Sequence, residues 1–502
     1  LCDVDNDGDR EIAFGAWDQR IYLLDHNGNS LWNNQPNNYP GPGYFNADTI
    51  WSSPACADLN GDGDDEIITG ADIAGGGTLP DGYQPSDGGF LYIFEGNGDV
   101  LARRQLPEVI FSSPVVGDLD GDGTLEVVVG TGWFYWEAHG RVDQPYVYAF
   151  DTSQVFSNLH YSDPTKLPHL PGWPRPTHYP GFSSPSLADL DGDGDLEVVI
   201  ASGFPDGASP ECSASPSDPN CYGALYAWHH SGQEVSGFPV WPRDSANKNA
   251  RMRSTPTIAD IDNDGQLEIL IPVLWDVAVI GSTGQQENTL RSTWTTVTSP
   301  AIGDTDGDNQ LEVWIGSANL DERDHGYLWR FESSEVGIGE MPWPMFRRSS
   351  ENRGFYGPPP EFDFSPPVAF YEPDSGDTAT STLLLSHSGD SSVQWTVVES
   401  PRGVEMTTDE GTIPPDLEIP VLLEIDTDHV RNLREGVNSL GDIVVSGVDN
   451  GTGEELASVA IPVKLYVGDV HSQFLPALLL LGQSRVLSGL PIDYRDHHSR
   501  LP

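Results

Sequence analysis

The sequence predicts an all-β protein of two domains, and three observations carry that reading. An acidic nonamer recurs six times, and most copies lead into a β-branched run. Gly 54 and Pro 41 supply turns throughout the chain. In the last third the nonamer stops and apolar residues alternate with the period of a half-buried strand. At the usual size of about 100–200 residues per domain, 502 residues are too many for one core. The balance of 24 Lys+Arg against 77 Asp+Glu, a net charge of −53, excludes a general nucleic-acid binder, whose phosphate contacts need cations. It also argues against docking on an anionic membrane surface. Fourteen Trp, 17 Tyr and 18 Phe give the chain much to bury, so the acidity does not signify disorder. The longest apolar run, Phe474 to Leu481, is too short to form a transmembrane segment.

The nonamers place oxygen-bearing side chains at positions 1, 3, 5, 7 and 9. The first carries Asp3, Asp5, Asp7, Asp9 and Glu11, and the second Asp58, Asn60, Asp62, Asp64 and Glu66. The third carries Asp118, Asp120, Asp122, Thr124 and Glu126, and the fourth Asp189, Asp191, Asp193, Asp195 and Glu197. The fifth has Asp260, Asp262, Asp264, Gln266 and Glu268, and the sixth Asp304, Asp306, Asp308, Gln310 and Glu312. Ca²⁺ takes about 6–8 oxygen ligands at about 2.3–2.6 Å, so it needs several carboxylates folded around one point. Side chains at 1, 3 and 5 converge in a tight turn, position 7 offers its carbonyl, and Glu at 9 closes the shell. Position 6 needs a positive φ, which Gly supplies; Asn309 stands there in the sixth loop, predicting distortion. The cofactor expected is Ca²⁺, about six ions on the one-per-loop reading.

Each element around the loop follows in order. A Ser/Thr-Pro strand start precedes five loops, at Ser53-Pro54, Ser113-Pro114, Ser184-Pro185, Thr255-Pro256 and Ser299-Pro300. After the loops come runs such as 127–130, Val-Val-Val-Gly, which read as buried strands rather than the helix that follows an EF-hand loop. A third strand follows at 20–25, 90–94, 146–150 and 224–228, and a weaker fourth leads to the next Ser-Pro. The loop is thus the hairpin between strands one and two of a four-stranded unit. Ser-Pro, then Asp-x-Asp-x-Asp-Gly-x-x-Glu, then a β-run ending in Gly resembles the FG-GAP (VCBS-type) repeat of integrin-α-like β-propellers. The resemblance covers residues 1–355. It implies a calcium-binding β-propeller with its calcium loops on one rim. The first unit lacks a full first strand, since only Leu1 and Cys2 precede Asp3. Six blades are expected, with seven as the alternative.

Residues 356–361 read as a stiff Pro-rich linker. Beyond it, 362–470 reads as an Ig-like β-sandwich with Trp395 as core anchor, and resembles the Ig-like modules, BACON-type among them, of bacterial surface proteins. The remainder, 471–502, reads as an apolar tail that either packs back on the sandwich or joins subunits as a homo-oligomer or filament; it resembles the Phe/Tyr-Leu-Pro-Leu tails of some bacterial exported proteins. The chain opens directly at a motif and reads as processed or truncated. Cys212 and Cys221 bracket a loop that a disulfide suits, whereas Cys2 and Cys56 read equally well as buried hydrophobes.

Long insertions at 71–89, 131–145 and 202–223 fall on the face opposite the calcium loops. There Tyr83, Trp133, Phe134, Tyr135, Trp136 and His139 offer a surface for a glycan or a protein. His229 and His230, taken as consecutive strand positions, point opposite ways and are excluded as ligands. Two function classes follow. One is a non-enzymatic, secreted, calcium-stabilised adhesion or scaffold protein. The other is a polysaccharide-active enzyme of lyase type, against which stand the lack of a nucleophile motif and the scarcity of Lys.

Overall fold

The computed structural model describes residues 1–5, 10–33, 41–46, 48–75, 78–79, 81–132, 134–135, 145–177, 182–203, 223–246, 252, 254–292, 295–296, 298–303, 305, 310–318, 326–333, 341–348, 352 and 354–356. In the second half it describes 363–365, 368–371, 378–386, 393–408, 410–413, 419–426, 436–449, 455–467 and 495–500. The chain divides into a unit of 1–356 with 488–502 and a unit of 357–487. Both are all-β.

The first unit holds six small sheets among the described residues. Sheet 1 is Ile12–Ala16, Arg20–Leu24 and Tyr44–Phe45, with a Cys2–Glu11 bridge ahead of its first strand. Sheet 2 is Ala55–Ala57, Glu66–Ile73, Gly88–Phe94 and Val100–Leu106. Sheet 3 is Val115–Gly117, Glu126–Gly130, Tyr146–Asp151 and Arg175–Pro176. Sheet 4 is Ser186–Ala188, Glu197–Ser202 and Ala224–Trp228; sheet 5 is Thr257–Ala259, Glu268–Val273, Asp276–Gly281 and Gln286–Arg291. Sheet 6 joins Thr295–Thr296 and Ala301–Gly303 to Glu312–Ala318, followed by Gly326–Glu332. Its outer strand is Arg495–Arg500 from the tail, parallel to Gly326–Glu332. Residues 471–494 lie outside the described residues.

Strand periodicity explains how the sheets pack. Successive side chains on a strand point to opposite faces, so a run apolar at every position is buried on both. Val127 and Val129 pack with Ile68 and Leu91 of sheet 2, while Val128 packs with Leu187 and Val198 of sheet 4. Cores of the same kind join sheets 1 and 2, 4 and 5, and 5 and 6. A small residue is required where a second strand passes its neighbour: a Cβ on Gly15 would lie 2.0 Å from Ile50 Cγ2, and one on Gly70 would lie 2.2 Å from Ile110 Cγ2.

The Ser/Thr-Pro motif is a bracket between sheets. Ser53 N donates to Ser113 Oγ (3.0 Å), Ser113 N to Ser184 Oγ (2.9 Å), Ser184 N to Thr255 Oγ1 (3.1 Å) and Thr255 N to Ser299 Oγ (3.0 Å). The preceding hydroxyls hold the second strands: Gly70, Gly130 and Gly316 donate from their backbone N to Ser52, Ser112 and Thr298. Residues 341–348 and 354–356 then run past the first strands of sheets 3, 5 and 6. Trp343 pairs with Ile258, Ile302 N donates to Pro344 O, and Phe355–Tyr356 pairs in parallel with Val116 and Gly117. The Arg347 guanidinium, fully buried, donates to the carbonyls of Pro54 and Pro114.

The second unit has two sheets over one core. One is Asp363–Ser365, Thr378–Ser386, Ile419–Asp426 and Val404–Met406; the other is Val368–Tyr371, Glu455–Val467, Gly436–Asp449, Val393–Glu399 and Glu410–Ile413. Leu383, Leu423 and Ile425 of the first meet Ile443, Ile461 and Val463 of the second around a buried Trp395. Cys2 and Cys56 form a disulfide, joining the start of the chain to the first strand of sheet 2; the reading of both as buried hydrophobes is corrected. Burial favours a small apolar side chain and a cystine equally, so sequence could not separate them. Cys212 and Cys221 lie outside the described residues. Among the described residues no helix is long and apolar enough to cross a membrane.

Candidate metal centres

Each nonamer begins as its first strand ends and closes on the first residue of the second strand, which places the ninth-position Glu on sheet hydrogen bonds. All six glutamates make one common contact. Glu11, Glu66, Glu126, Glu197, Glu268 and Glu312 each accept at Oε2 from the backbone N of position 2, at 3.2, 2.8, 2.8, 2.7, 2.9 and 2.7 Å respectively. One oxygen is thereby fixed and the other is left toward the loop. The donors are Val4, Leu59, Leu119, Leu190, Ile261 and Thr305.

The loop backbone wraps around the first Asp. Asp58 Oδ1 accepts from Asn60, Gly61 and Asp62 N, and Oδ2 from Gly63 N (2.8 Å). Asp118, Asp189 and Asp260 hold positions 5 and 6 in the same way. Position 7 turns inward as its N donates to the carboxylate at 5: Asp64 to Asp62, Thr124 to Asp122, Asp195 to Asp193 and Gln266 to Asp264. The positive φ expected at position 6 is present at Gly63, Gly123, Gly194 and Gly265. Sequence reasoning missed a second one at position 4, held by Gly61, Gly121, Gly192 and Asn263. The signal was there, since every nonamer has Gly or Asn at that position.

Ligand atoms of Asp3, Asp5 and Glu11 lie within 4.8 Å of one another, as do those of Asp118, Asp120 and Asp122. The same holds for Asp189, Asp191 and Asp193, and for Asp260, Asp262 and Glu268. Such spacing and an all-oxygen donor set suit a hard cation of calcium's size. Burial raises the pKa of Glu66, Glu126 and Glu268 to about 8 and of Glu197 to about 7, with neighbouring aspartates adding repulsion. A bound cation removes both penalties. Glu95 and Glu287, which sequence reasoning did not select, have their pKa values raised by burial and then by the aspartates of loops two and five. In the sixth loop Arg330 Nη2 lies 2.9 Å from Glu312 Oε1, where a metal would bind. Asp7, Asp9, Asp304, Asp306, Asp308 and Asn309 lie outside the described residues.

One reading needs correction. The strand ends at Trp228, so His229 and His230 sit in the following turn and both reach the fourth loop. His229 Nδ1 is 2.9 Å from Glu197 Oε1, and His230 Nδ1 is 2.9 Å from Asp195 Oδ2. Tyr83 serves its own sheet, with the Arg103 guanidinium 4.5 Å over its ring and its OH donating to Gln105. Phe134 is 66% exposed beside Tyr135, and Trp133, Trp136 and His139 lie outside the described residues. A row that sequence reasoning missed runs Trp17–Trp51–Phe111–Phe182, with ring centroids 4.7, 5.3 and 4.8 Å apart. Its signal is the aromatic residue before Ser-Ser-Pro at 51, 111 and 182.

Residues 3–69 match the FG-GAP-like repeat and residues 111–150 the FG-GAP repeat. No curated protein matches the chain. Among solved structures, a protein of unknown function from Porphyromonas gingivalis W83 is 18% identical over 22% of this chain and 49% of its own, with TM-score 0.19. This chain thus spans about half the length of that protein. The V. cholerae biofilm matrix protein Bap1 is 13% identical over 86% of this chain and 68% of its own, with TM-score 0.35. BBS1N, solved in complex with ARL6DN, is 11% identical over 85% and 90%, with TM-score 0.37.

Proposed function

From FG-GAP repeats whose acidic loops share one architecture, we propose that this is a non-enzymatic, extracellular, calcium-stabilised adhesion or scaffold protein. Its six sheets are the blades of one propeller, and its second unit is an Ig-like sandwich. The observation that carries the calcium reading is the bond from position 2 to the ninth-position Glu, present at all six loops. It orients a buried carboxylate toward aspartates that repel it, an arrangement that a cation relieves. Extracellular calcium modules bind with Kd of about 10⁻⁴–10⁻³ M, which suits calcium outside cells rather than the cytosol. The Cys2–Cys56 disulfide fits the same compartment.

Assembly uses the tail. Arg495–Arg500 adds in parallel to the outer strand of sheet 6, and the same edge accepts the strand of a second copy, giving exchange between subunits. A glycan or protein partner binds the face opposite the calcium loops, where Trp17 and Trp51 are 68% and 45% exposed. Metal analysis in calcium-containing buffer tests the calcium reading. Five or six ions per chain are expected, and two or fewer overturn it.

A further inference from the structure

The fourth loop differs from the others in what faces it. Near loops two and five the nearby strand ends bring the carboxylates of Glu95 and Glu287; at the fourth loop the turn after Trp228 brings an imidazole. Side-chain donor atoms of Asp191, Glu197 and His229 all lie within 4.8 Å of one another. Glu197 is fully buried, and Leu190 N holds its Oε2. Its Oε1 stands 2.9 Å from His229 Nδ1. That spacing is a hydrogen bond between imidazole and carboxylate, and a tetrahedral ion with bonds of about 2.0–2.2 Å would part the two donors only slightly, to about 3.3–3.6 Å. Ca²⁺ takes oxygen ligands. Imidazole nitrogen instead suits Zn²⁺, Cu²⁺ and Ni²⁺.

We propose that the fourth loop is a transition-metal site of the Zn²⁺ class, with His229, Glu197 and Asp191 as its ligands, set among loops that take calcium. The proposal rests on the reading of these loops as metal sites, and it assigns one of them a different ion. The neutral imidazole supplies one nitrogen, the two carboxylates supply oxygens, and water completes the shell. Asp191 and Glu197 together balance the ion's charge, and Asp189 stays engaged by the loop's backbone N–H groups.

The test titrates Zn²⁺ into the full chain held in calcium at about 1 mM, the upper end of the extracellular-module Kd range, and reads bound metal and heat. One equivalent taken up at micromolar Zn²⁺, weakened at least tenfold by His229→Gln, is the expected result. Co²⁺ in place of Zn²⁺ should show visible bands of a mixed nitrogen–oxygen shell, which the variant loses. No Zn²⁺ uptake against calcium, or uptake unchanged in His229→Gln, overturns the proposal. If the variant does not fold, a Co²⁺ spectrum of the unaltered chain with oxygen ligands alone overturns it as well. Calcium bound at the other loops without Zn²⁺ at the fourth ends this inference and leaves the calcium reading standing. Zn²⁺ bound at the fourth with no calcium elsewhere does the opposite.

Discussion

Asp72 shows what an acid pays in this protein when no cation is aimed at it. It is buried, Thr49 Oγ1 donates to its Oδ2, and its Oδ1 has no hydrogen-bond partner among the described residues. Burial, then the nearby Asp48, raises its pKa to about 7. The folded chain therefore keeps this proton up to about pH 7, while the unfolded chain releases it near pH 4. Across that window the unfolded state binds fewer protons, so the contribution of Asp72 to stability is most favourable below pH 4 and is lost as pH rises to 7. Asp72→Asn should raise the melting temperature at pH 8 and leave it nearly unchanged at pH 4, by calorimetry. Glu126 makes the contrasting case, since its burial serves a loop. Glu126→Gln should remove one calcium ion per chain by metal analysis. With free calcium at about ten times Kd, it should also cost about 1.4 kcal/mol of calcium-dependent stability. Arg330→Met frees Glu312 from its ion pair and should strengthen calcium binding at the sixth loop, visible as an added or tightened site in calorimetric titration.

At the scale of elements, the Ser-Ser/Thr-Pro segment does two jobs with adjacent hydroxyls. Ser112 holds the end of its own second strand, and Ser113 receives the backbone N of Ser53 from the sheet before. Ser113→Ala removes the acceptor of that part-buried bond, at a cost of about 0.5–1.5 kcal/mol. Chemical denaturation should show the loss in the first unit alone. The place of this segment before the first strand was legible in the sequence. Its partner was not, because Ser113 and Ser184 are linked by the three-dimensional stacking of sheets and by nothing local. The acidic loops were the most legible part, because metal ligation imposes residue type and spacing together. The His229–His230 turn was misread because the end of a strand is set by where its partner stops. Aromatic residues before Ser-Ser-Pro were visible as letters, but their forming one row depends on neighbouring sheets presenting the same position side by side.

For the whole molecule, charge decides the largest effect. Acidic loops bring aspartates against buried glutamates, and five independent calcium sites at about ten times Kd contribute about 7 kcal/mol, comparable with the entire stability of a typical domain at about 5–15 kcal/mol. EDTA should therefore lower the melting transition of the first unit sharply and barely move that of the second, which carries none of the nonamers. Calorimetry showing equal shifts, or none, would make the metals incidental to folding. The fold class, the repeat and the alternation around Trp395 were all legible at this scale, whereas the fate of 341–356 was not. That segment has a consequence for synthesis. Val116 is made early, but its strand partner Phe355 follows 239 residues later, a delay of about 12–48 s at 5–20 residues per second. During that interval the inner strands of sheets 2 and 3 wait with the carbonyls of Pro54 and Pro114 unanswered by Arg347. The nascent chain thus passes through a stage in which the first strands of these sheets are made but the segment that answers them is not.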